Sequence, residues 1–243
     1  MGKKVQARPK LSFCLAQSTS LARKSPAFWT HFMSVASRAE RGAFEILKRV
    51  LDIAVAGIFL VVLALPMLLL SILIKLSDGG PVLFWQERVG KHGRIFGFPK
   101  FRSMRVDAEK LKDQLLKANQ YGDSAINFKM KKDPRITRIG GFIRRFSVDE
   151  LPQLWCVLVG DMSLVGPRPP VPREVNKYKS ADRRRLEVTP GLTCIWQVSG
   201  RSTIPFPQQV EMDCEYIHSQ SLKTDIALLA KTLPAVLSGR GAY

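Results

Sequence analysis

Histidine and cysteine are scarce in this 243-residue chain, three and four in all, and the cysteines at 14, 156, 194 and 214 form no CxxC pair. That excludes a zinc site of the usual spacing and a disulfide framework, and makes a reducing compartment the default. Acids are also short: 20 Asp/Glu stand against 38 Lys/Arg, for a net charge of +18. Such an excess calls for a partner rich in negative charge, either nucleic acid or an anionic membrane surface. At 46% hydrophobic and 24% charged residues, wholesale disorder is excluded. The length suits one domain of ordinary size, or one with an appendage.

No acid precedes Glu40, and residues 1–50 carry ten Lys/Arg against Glu40 and Glu45, a net +8. No apolar run follows the early charges, so a secretory signal is not expected. Gln6, where Ser or Thr would be needed, argues against myristoylation at Gly2. The Ser, Ala and Lys/Arg bias is shared by organellar transit peptides and by basic arms lying on anionic lipid. Residues 1–45 are read as such a basic, poorly structured or membrane-surface arm.

Charge is absent from Ile53 to Ile74, 22 residues interrupted only by Gly57, Pro66 and Ser71. Roughly 20 apolar residues cross a bilayer; a buried core helix is the plainer alternative. Four cations flank each end within twenty residues, Arg38, Arg41, Lys48 and Arg49 before and Lys75, Arg88, Lys91 and Arg94 after. This balance favours keeping both ends on the cytoplasmic side. Pro66 removes one helical hydrogen bond past the middle of the run. The expectation is a re-entrant membrane helix over residues 46–78, bent near Pro66, followed by a cytoplasmic domain over 79–243.

In that domain Val82–Glu87 and Ile95–Phe101 are β-prone runs around Gly90-Lys91-His92-Gly93, which predicts a hairpin. Helices are expected over Ala108–Tyr121, Leu151–Val159, Pro207–Ser219 and Leu222–Leu237. The fold class is therefore α+β, mostly helical with a small β element, with some helices amphipathic and lying in the membrane interface.

Four segments can carry chemistry. In Arg144-Arg145-Phe146-Ser147-Val148-Asp149-Glu150-Leu151-Pro152-Gln153, Pro152 belongs in a first helical turn, which puts Asp149 and Glu150 at or just before a helix start. Such a terminus favours a carboxylate and equally a bound phosphate; a capped helix with Asp149 as N-cap is the plain alternative. In Gly166-Pro167-Arg168-Pro169-Pro170, prolines on both sides hold the Arg168 fork rigid, which suits phosphate; a surface turn would look the same. Lys100-Phe101-Arg102-Ser103-Met104-Arg105 alternates cations with apolar residues, as a solvated strand edge also would. Pro190-Gly191-Leu192-Thr193-Cys194-Ile195-Trp196-Gln197-Val198-Ser199-Gly200-Arg201 joins turn residues to an amide, an aromatic ring and an arginine.

The order and spacing of these segments resemble the bacterial sugar transferase family, the monotopic polyprenyl-phosphate phosphoglycosyl transferases. The likeness runs from about Lys48 to the C-terminus. It is carried by Lys48-Arg49-Val50-Leu51-Asp52, Gly80-Pro81-Val82-Leu83-Phe84, Gln86-Glu87-Arg88-Val89-Gly90, Lys100-Phe101-Arg102-Ser103-Met104, Asp149-Glu150-Leu151-Pro152-Gln153 and Gly160-Asp161-Met162-Ser163 with Gly166-Pro167-Arg168-Pro169.

The resemblance implies an enzyme of the bacterial inner membrane, its catalytic domain on the cytoplasmic face. It would move a sugar 1-phosphate from a UDP-sugar to undecaprenyl or another polyprenyl phosphate, releasing UMP, as the first membrane step of an exopolysaccharide, capsule or O-antigen. It implies Asp149 as nucleophile, forming a phosphosugar intermediate, Glu150 as its assistant, and Mg²⁺ held by the pair. Arg144 and Arg168 are implied as phosphate ligands, with Lys100 and Arg102 as further contacts; Gln197 and Arg201 join them as substrate contacts. Leu65 stands where the family often has Ser, Cys156 where Asn is usual and Cys194 where Gly is usual. The bilayer is then the polyanion that the charge calls for, nucleic acid is not a partner, and a homodimer stays open. The competing reading is a non-enzymatic membrane-anchored protein binding anionic lipid or nucleic acid through a basic face; it leaves the Asp-Glu block and the Pro-Arg-Pro loop unexplained.

Overall fold

The computed structural model describes residues 26–108, 111 and 133–239, with side chains from 42 onward. Contacts divide the chain into two units, Met1–Ala43 and Phe44–Tyr243. The expected helix over 108–121 lies outside the described residues except at Ala108 and Leu111, and most of the basic arm does so too.

Helix α1 (Pro26–Val62) and helix α2 (Ala64–Asp78) hold the uncharged run. Among the described residues no single helix is long and apolar enough to cross a membrane; Gly42–Val62 and Ala64–Asp78 pass that test together and are bent by 59°. The break falls at Leu63, one turn before Pro66. Pro66 has no N–H for the carbonyl four residues back, and its ring crowds that carbonyl. Main-chain bonds continue on both sides, Leu63 N to Phe59 O and Met67 N to Leu63 O, each 2.8 Å. From Ile53 to Ile74, on both sides of the break, the pair is apolar on nearly every face. Val61, Val62, Leu65, Leu68 and Leu76 are all more than half exposed, while Ile74 is the buried residue of α2.

The expected hairpin is present. Strands β1 (Leu83–Val89) and β2 (Ile95–Phe101) pair antiparallel, Val89 opposite Ile95 and Leu83 opposite Phe101. Their connection closes through Gly90 N to Arg94 O at 2.7 Å, with His92 and Gly93 both at positive φ. Alternation turns Phe96 and Phe98 into the core. Helix α3 (Arg138–Arg145), a 3₁₀ turn (Val148–Gln153) and helix α4 (Leu154–Val159) follow. Strands β3 (Ser163–Val165) and β4 (Gly191–Thr193) then form a short parallel pair. Gly166 and Gly191 meet there so closely that a Cβ on either would run into the other segment's backbone. The short helices α5 (Pro172–Val175) and α6 (Ile195–Ser199) precede α7 (Phe206–His218) and α8 (Leu222–Ser238).

One core gathers Phe98 of β2, Val157 of α4, Val165 of β3, Tyr216 of α7, Leu228 of α8 and Ala56 of α1. Helix α1 is tied into it by charged groups as well as by Ala56. Lys48 Nζ donates to Val165 O at 3.0 Å and pairs with Asp225 Oδ2 at 2.5 Å. Arg49 donates to the free carbonyls of Val157 and Leu158 at the end of α4, at 2.5 and 2.6 Å. Asp52, one turn on, accepts from Leu164 N at 3.0 Å. Tyr216 Oη closes the group, donating 2.8 Å to Asp225 Oδ1 and lying 3.0 Å from Val165 O. Buried charges held this way cost several kcal/mol each if a partner is removed, so they fix where α1 sits.

Candidate active site

The site is built where β2 packs on the 3₁₀ turn. Helix α3 ends at Phe146, and Ser147 steps into the left-handed region (φ 53°). That residue redirects the chain, and Pro152, lacking an N–H, sits within the turn that follows. Asp149 is the second residue of this turn and not its N-cap, since Ser147 holds that position. The capped-helix alternative thus does not describe Asp149.

Glu150 is clamped. Its Oε1 accepts from Arg168 Nη2 at 2.7 Å and from Lys100 Nζ at 3.3 Å. Burial alone would raise its pKa, but Arg168 and Lys100 outweigh burial and hold the carboxyl well below the usual carboxylate range. Arg168 sits between the buried Pro167 and Pro169, and Arg88 of β1 secures the loop by donating to Pro169 O at 2.8 Å. Burial works against the Arg168 charge, yet Glu150 overcomes it and raises the guanidinium above its ordinary value. Lys100 goes the other way: burial pushes it down to about 8, with Glu150 opposing. Arg88 falls to about 10 through burial and the charge of Arg168.

Asp149 differs from its neighbour. It is 7% exposed and faces the cavity, and no hydrogen bond to its carboxylate is found among the described residues. Burial raises its pKa and Glu150 adds to that, while Lys100, Arg144 and Arg168 pull it back. Two adjacent carboxyls therefore sit in opposite states: one locked as an anion by cations, the other unbound, desolvated and ringed by positive charge at a distance.

The cavity around them has a volume of about 1300 Å³. Among the described residues, its lining holds eleven Lys/Arg and three acids, which suits a polyanion. Lys100, Arg102, Arg144, Arg168, Gln197 and Arg201 all line it. They do not all point to the acidic pair. Arg144, in the last turn of α3, lines the same cavity near enough for its charge to act on Asp149. Arg102 is committed elsewhere, buried and ion-paired with Asp78 at the end of α2. Gln197 Oε1 accepts the Cys194 thiol at 3.0 Å, and its Nε2 lies 3.4 Å from Leu192 O. Arg201 has positive φ (54°), and burial lowers its pKa against the pull of Glu150.

Some contributors escape a linear reading. Arg88 enters the sequence reading as a cation after the uncharged run and within the Gln86-Glu87-Arg88-Val89-Gly90 segment, not as a site residue, and the Phe98 ring under its guanidinium, 4.9 Å away, is ten residues on. Arg185, paired with Asp213 at 2.5 Å and flanked by the Tyr178 and Phe206 rings, also lines the cavity. The signal for the first lies in the period-two spacing of Arg88 and Gln86; nothing local announces the second.

Known proteins resolve what this geometry belongs to. The profile of the bacterial sugar transferases matches residues 43–239. The chain belongs to the bacterial sugar transferase family. Relatives include the galactosyl transferase CpsE of Streptococcus agalactiae serotype III, 51% identical over 198 residues, 81% of this chain and 43% of that protein. The undecaprenyl-phosphate galactose phosphotransferase of Salmonella typhimurium is 43% identical over 199 residues, 81% of this chain and 42% of that protein. The exopolysaccharide production protein ExoY of Rhizobium meliloti is 38% identical over 198 residues, 81% of this chain and 88% of its own length. The chain thus spans less than half of the first two sugar transferases and nearly all of the third.

Among the described residues no group of three or more His, Cys, Asp or Glu gathers to hold a metal. The donor set at the site is two carboxylates, Asp149 and Glu150, with the Glu150 Oε1 engaged by cations. This fits a Mg²⁺ that draws its other ligands from phosphate oxygens and water, as that ion commonly does.

Proposed function

We propose that this sugar transferase moves a sugar 1-phosphate from a UDP-sugar to polyprenyl phosphate, releasing UMP, through an intermediate on Asp149. The observation that carries the proposal is the pairing of an unengaged, buried Asp149 carboxylate with a cation-clamped Glu150 in a strongly basic cavity. An acid meant only for structure would hold a partner, as Glu150 does.

In the first step an Asp149 oxygen forms a bond to the sugar-bearing phosphorus of the UDP-sugar. The phosphoanhydride bond breaks, and its bridging oxygen and electron pair leave with UMP. In the second step an oxygen of polyprenyl phosphate attacks the same phosphorus, and the acyl phosphate bond breaks to restore the Asp149 carboxylate. Each attack brings an anion to an anion. Lys100, Arg144 and Arg168 relieve that repulsion at fixed positions, and stabilise charge as it moves to the leaving group. Glu150 holds the Arg168 fork and the Lys100 ammonium in place. Asp149 and Glu150 would hold Mg²⁺, which would supply further neutralisation of phosphate charge.

The acceptor cannot leave the bilayer, which gives α1 and α2 their role. A bent apolar pair, exposed on most faces and with cations at both ends, suits a re-entrant segment in the cytoplasmic leaflet of the inner membrane, with residues 79–243 on the cytoplasmic face. The basic arm would rest on anionic headgroups. The product fits the first lipid-linked step of an exopolysaccharide, capsule or O-antigen. Purified chain with polyprenyl phosphate, Mg²⁺ and a panel of UDP-sugars is expected to release UMP; release of UDP, or of neither nucleotide, refutes the proposal.

A further inference from the structure

The cavity has a second chemistry that phosphate binding does not use. Val55 and Phe59 of α1 line it at i and i+4, with Leu63 at the break one turn on, and Ile226, Leu229 and Leu233 of α8 line it at i, i+3 and i+7. Each set is one stripe of a helix. Lys48, past the middle of α1, pairs with Asp225 in the first turn of α8, and Val55 and Leu229 pack against a common core. Farther along, α8 is fastened to β4 by Thr232 and Thr193, whose hydroxyls are 2.8 Å apart. Beyond the core the stripes remain open: Phe59 is 46% exposed, Ile226 60% and Leu233 64%. Large apolar side chains left uncovered along a cavity wall mark a surface that takes an apolar partner.

We propose that the groove between α1 and α8 holds the proximal part of the acceptor's polyprenyl tail. The inference rests on the transfer reading above. The occupant is chosen by the pairing of chemistries within a single cavity, lined both by the apolar stripes of α1 and α8 and by the cations Lys100, Arg144 and Arg168. A long hydrocarbon ending in a phosphate satisfies both at once. The UDP-sugar uses the cations alone, having no extended apolar part. The groove also reaches the Leu63 break, with the exposed Val61, Val62 and Leu65 beside it, so a tail leaving it continues along apolar surface.

Two measurements on the full chain in lipid nanodiscs test this. A short-tailed prenyl phosphate with a diazirine on its first isoprene units is expected to crosslink to peptides containing residues 55–63 and 226–236. Unlabelled polyprenyl phosphate should displace it, and phosphatidic acid should not. Labelling elsewhere, or equal displacement by phosphatidic acid, overturns the inference, the second result identifying a general lipid crevice. Crosslinking needs no turnover, so it judges the groove even if no UMP is ever released. In turnover, Leu233→Ser, at an exposed position that tolerates a polar residue, should lower kcat/KM for the prenyl phosphate acceptor about tenfold, equivalent to about 1.4 kcal/mol, and leave kcat/KM for the UDP-sugar in place. An unchanged value for the acceptor, or an equal fall for both substrates, overturns the inference as well.

Discussion

Asp149 and Glu150 are one bond of main chain apart and do opposite things, and the difference comes entirely from what reaches them. Cations fasten Glu150, whereas Asp149 is buried and, among the described residues, its carboxylate has no hydrogen bond. Asp149→Asn keeps the shape and removes the nucleophile, so transfer should fall at least about 10³-fold, measured as UMP formed per chain. The pH profile follows from the same pair of environments. Because burial raises Asp149, the acid limb of kcat/KM should lie above the ordinary carboxylate range, activity being lost as pH falls and the carboxylate takes up a proton. Lys100 sits at about 8, so an alkaline limb should appear as pH rises through that value and the ammonium loses its proton. In Lys100→Arg, whose charge persists, that limb should disappear; a limb unmoved by the substitution would assign it to another group.

At the scale of elements, α1 is held to the domain by buried polar groups, each costly to lose. Lys48→Met strips Asp225 of its ion pair while Tyr216 remains, and should cost about 3–5 kcal/mol by leaving a buried carboxylate under-paired. Tyr216→Phe removes hydroxyl bonds only and should cost about 1–2 kcal/mol. Both are read from denaturant unfolding in detergent, and the larger loss should fall on the lysine. These residues show why sequence reveals some elements and not others. The hairpin, α7 and α8 are legible because period-two and period-3.6 patterns are local. Lys48 and Arg49 look like cations flanking a membrane run, and only the fold shows them spent on Val165, Asp225 and the α4 carbonyls. The bend is legible through Pro66, although its place one turn earlier follows from the carbonyl the ring displaces. Pro66→Ala should restore that hydrogen bond and straighten the pair, and a cysteine placed in the basic arm should then become reachable by an impermeant thiol reagent from the far side of the membrane.

For the whole molecule, the +18 charge divides between surfaces. A net +8 precedes Leu51; Lys48 and Arg49 of that share are spent inside the fold, the rest is proposed to meet headgroups, and eleven of the later cations line one cavity among the described residues. The Asp-Glu block and the Pro-Arg-Pro loop are readable as separate motifs, eighteen residues apart at Glu150 and Arg168, but their convergence on one carboxylate oxygen is tertiary. So is the commitment of Arg102 to Asp78, which its place beside Lys100 does not foretell. Membrane residence, polyprenyl acceptor and nucleotide donor are joined by a single claim, that Asp149 carries the sugar phosphate between them.

Intact-chain mass spectrometry after mixing with UDP-sugar and Mg²⁺ in the absence of acceptor tests that claim most directly. The account predicts a mass gain of one sugar phosphate, located by fragmentation on Asp149 and discharged when polyprenyl phosphate is added. A chain that turns over both substrates without gaining that mass, or gains it on another residue, would contradict it.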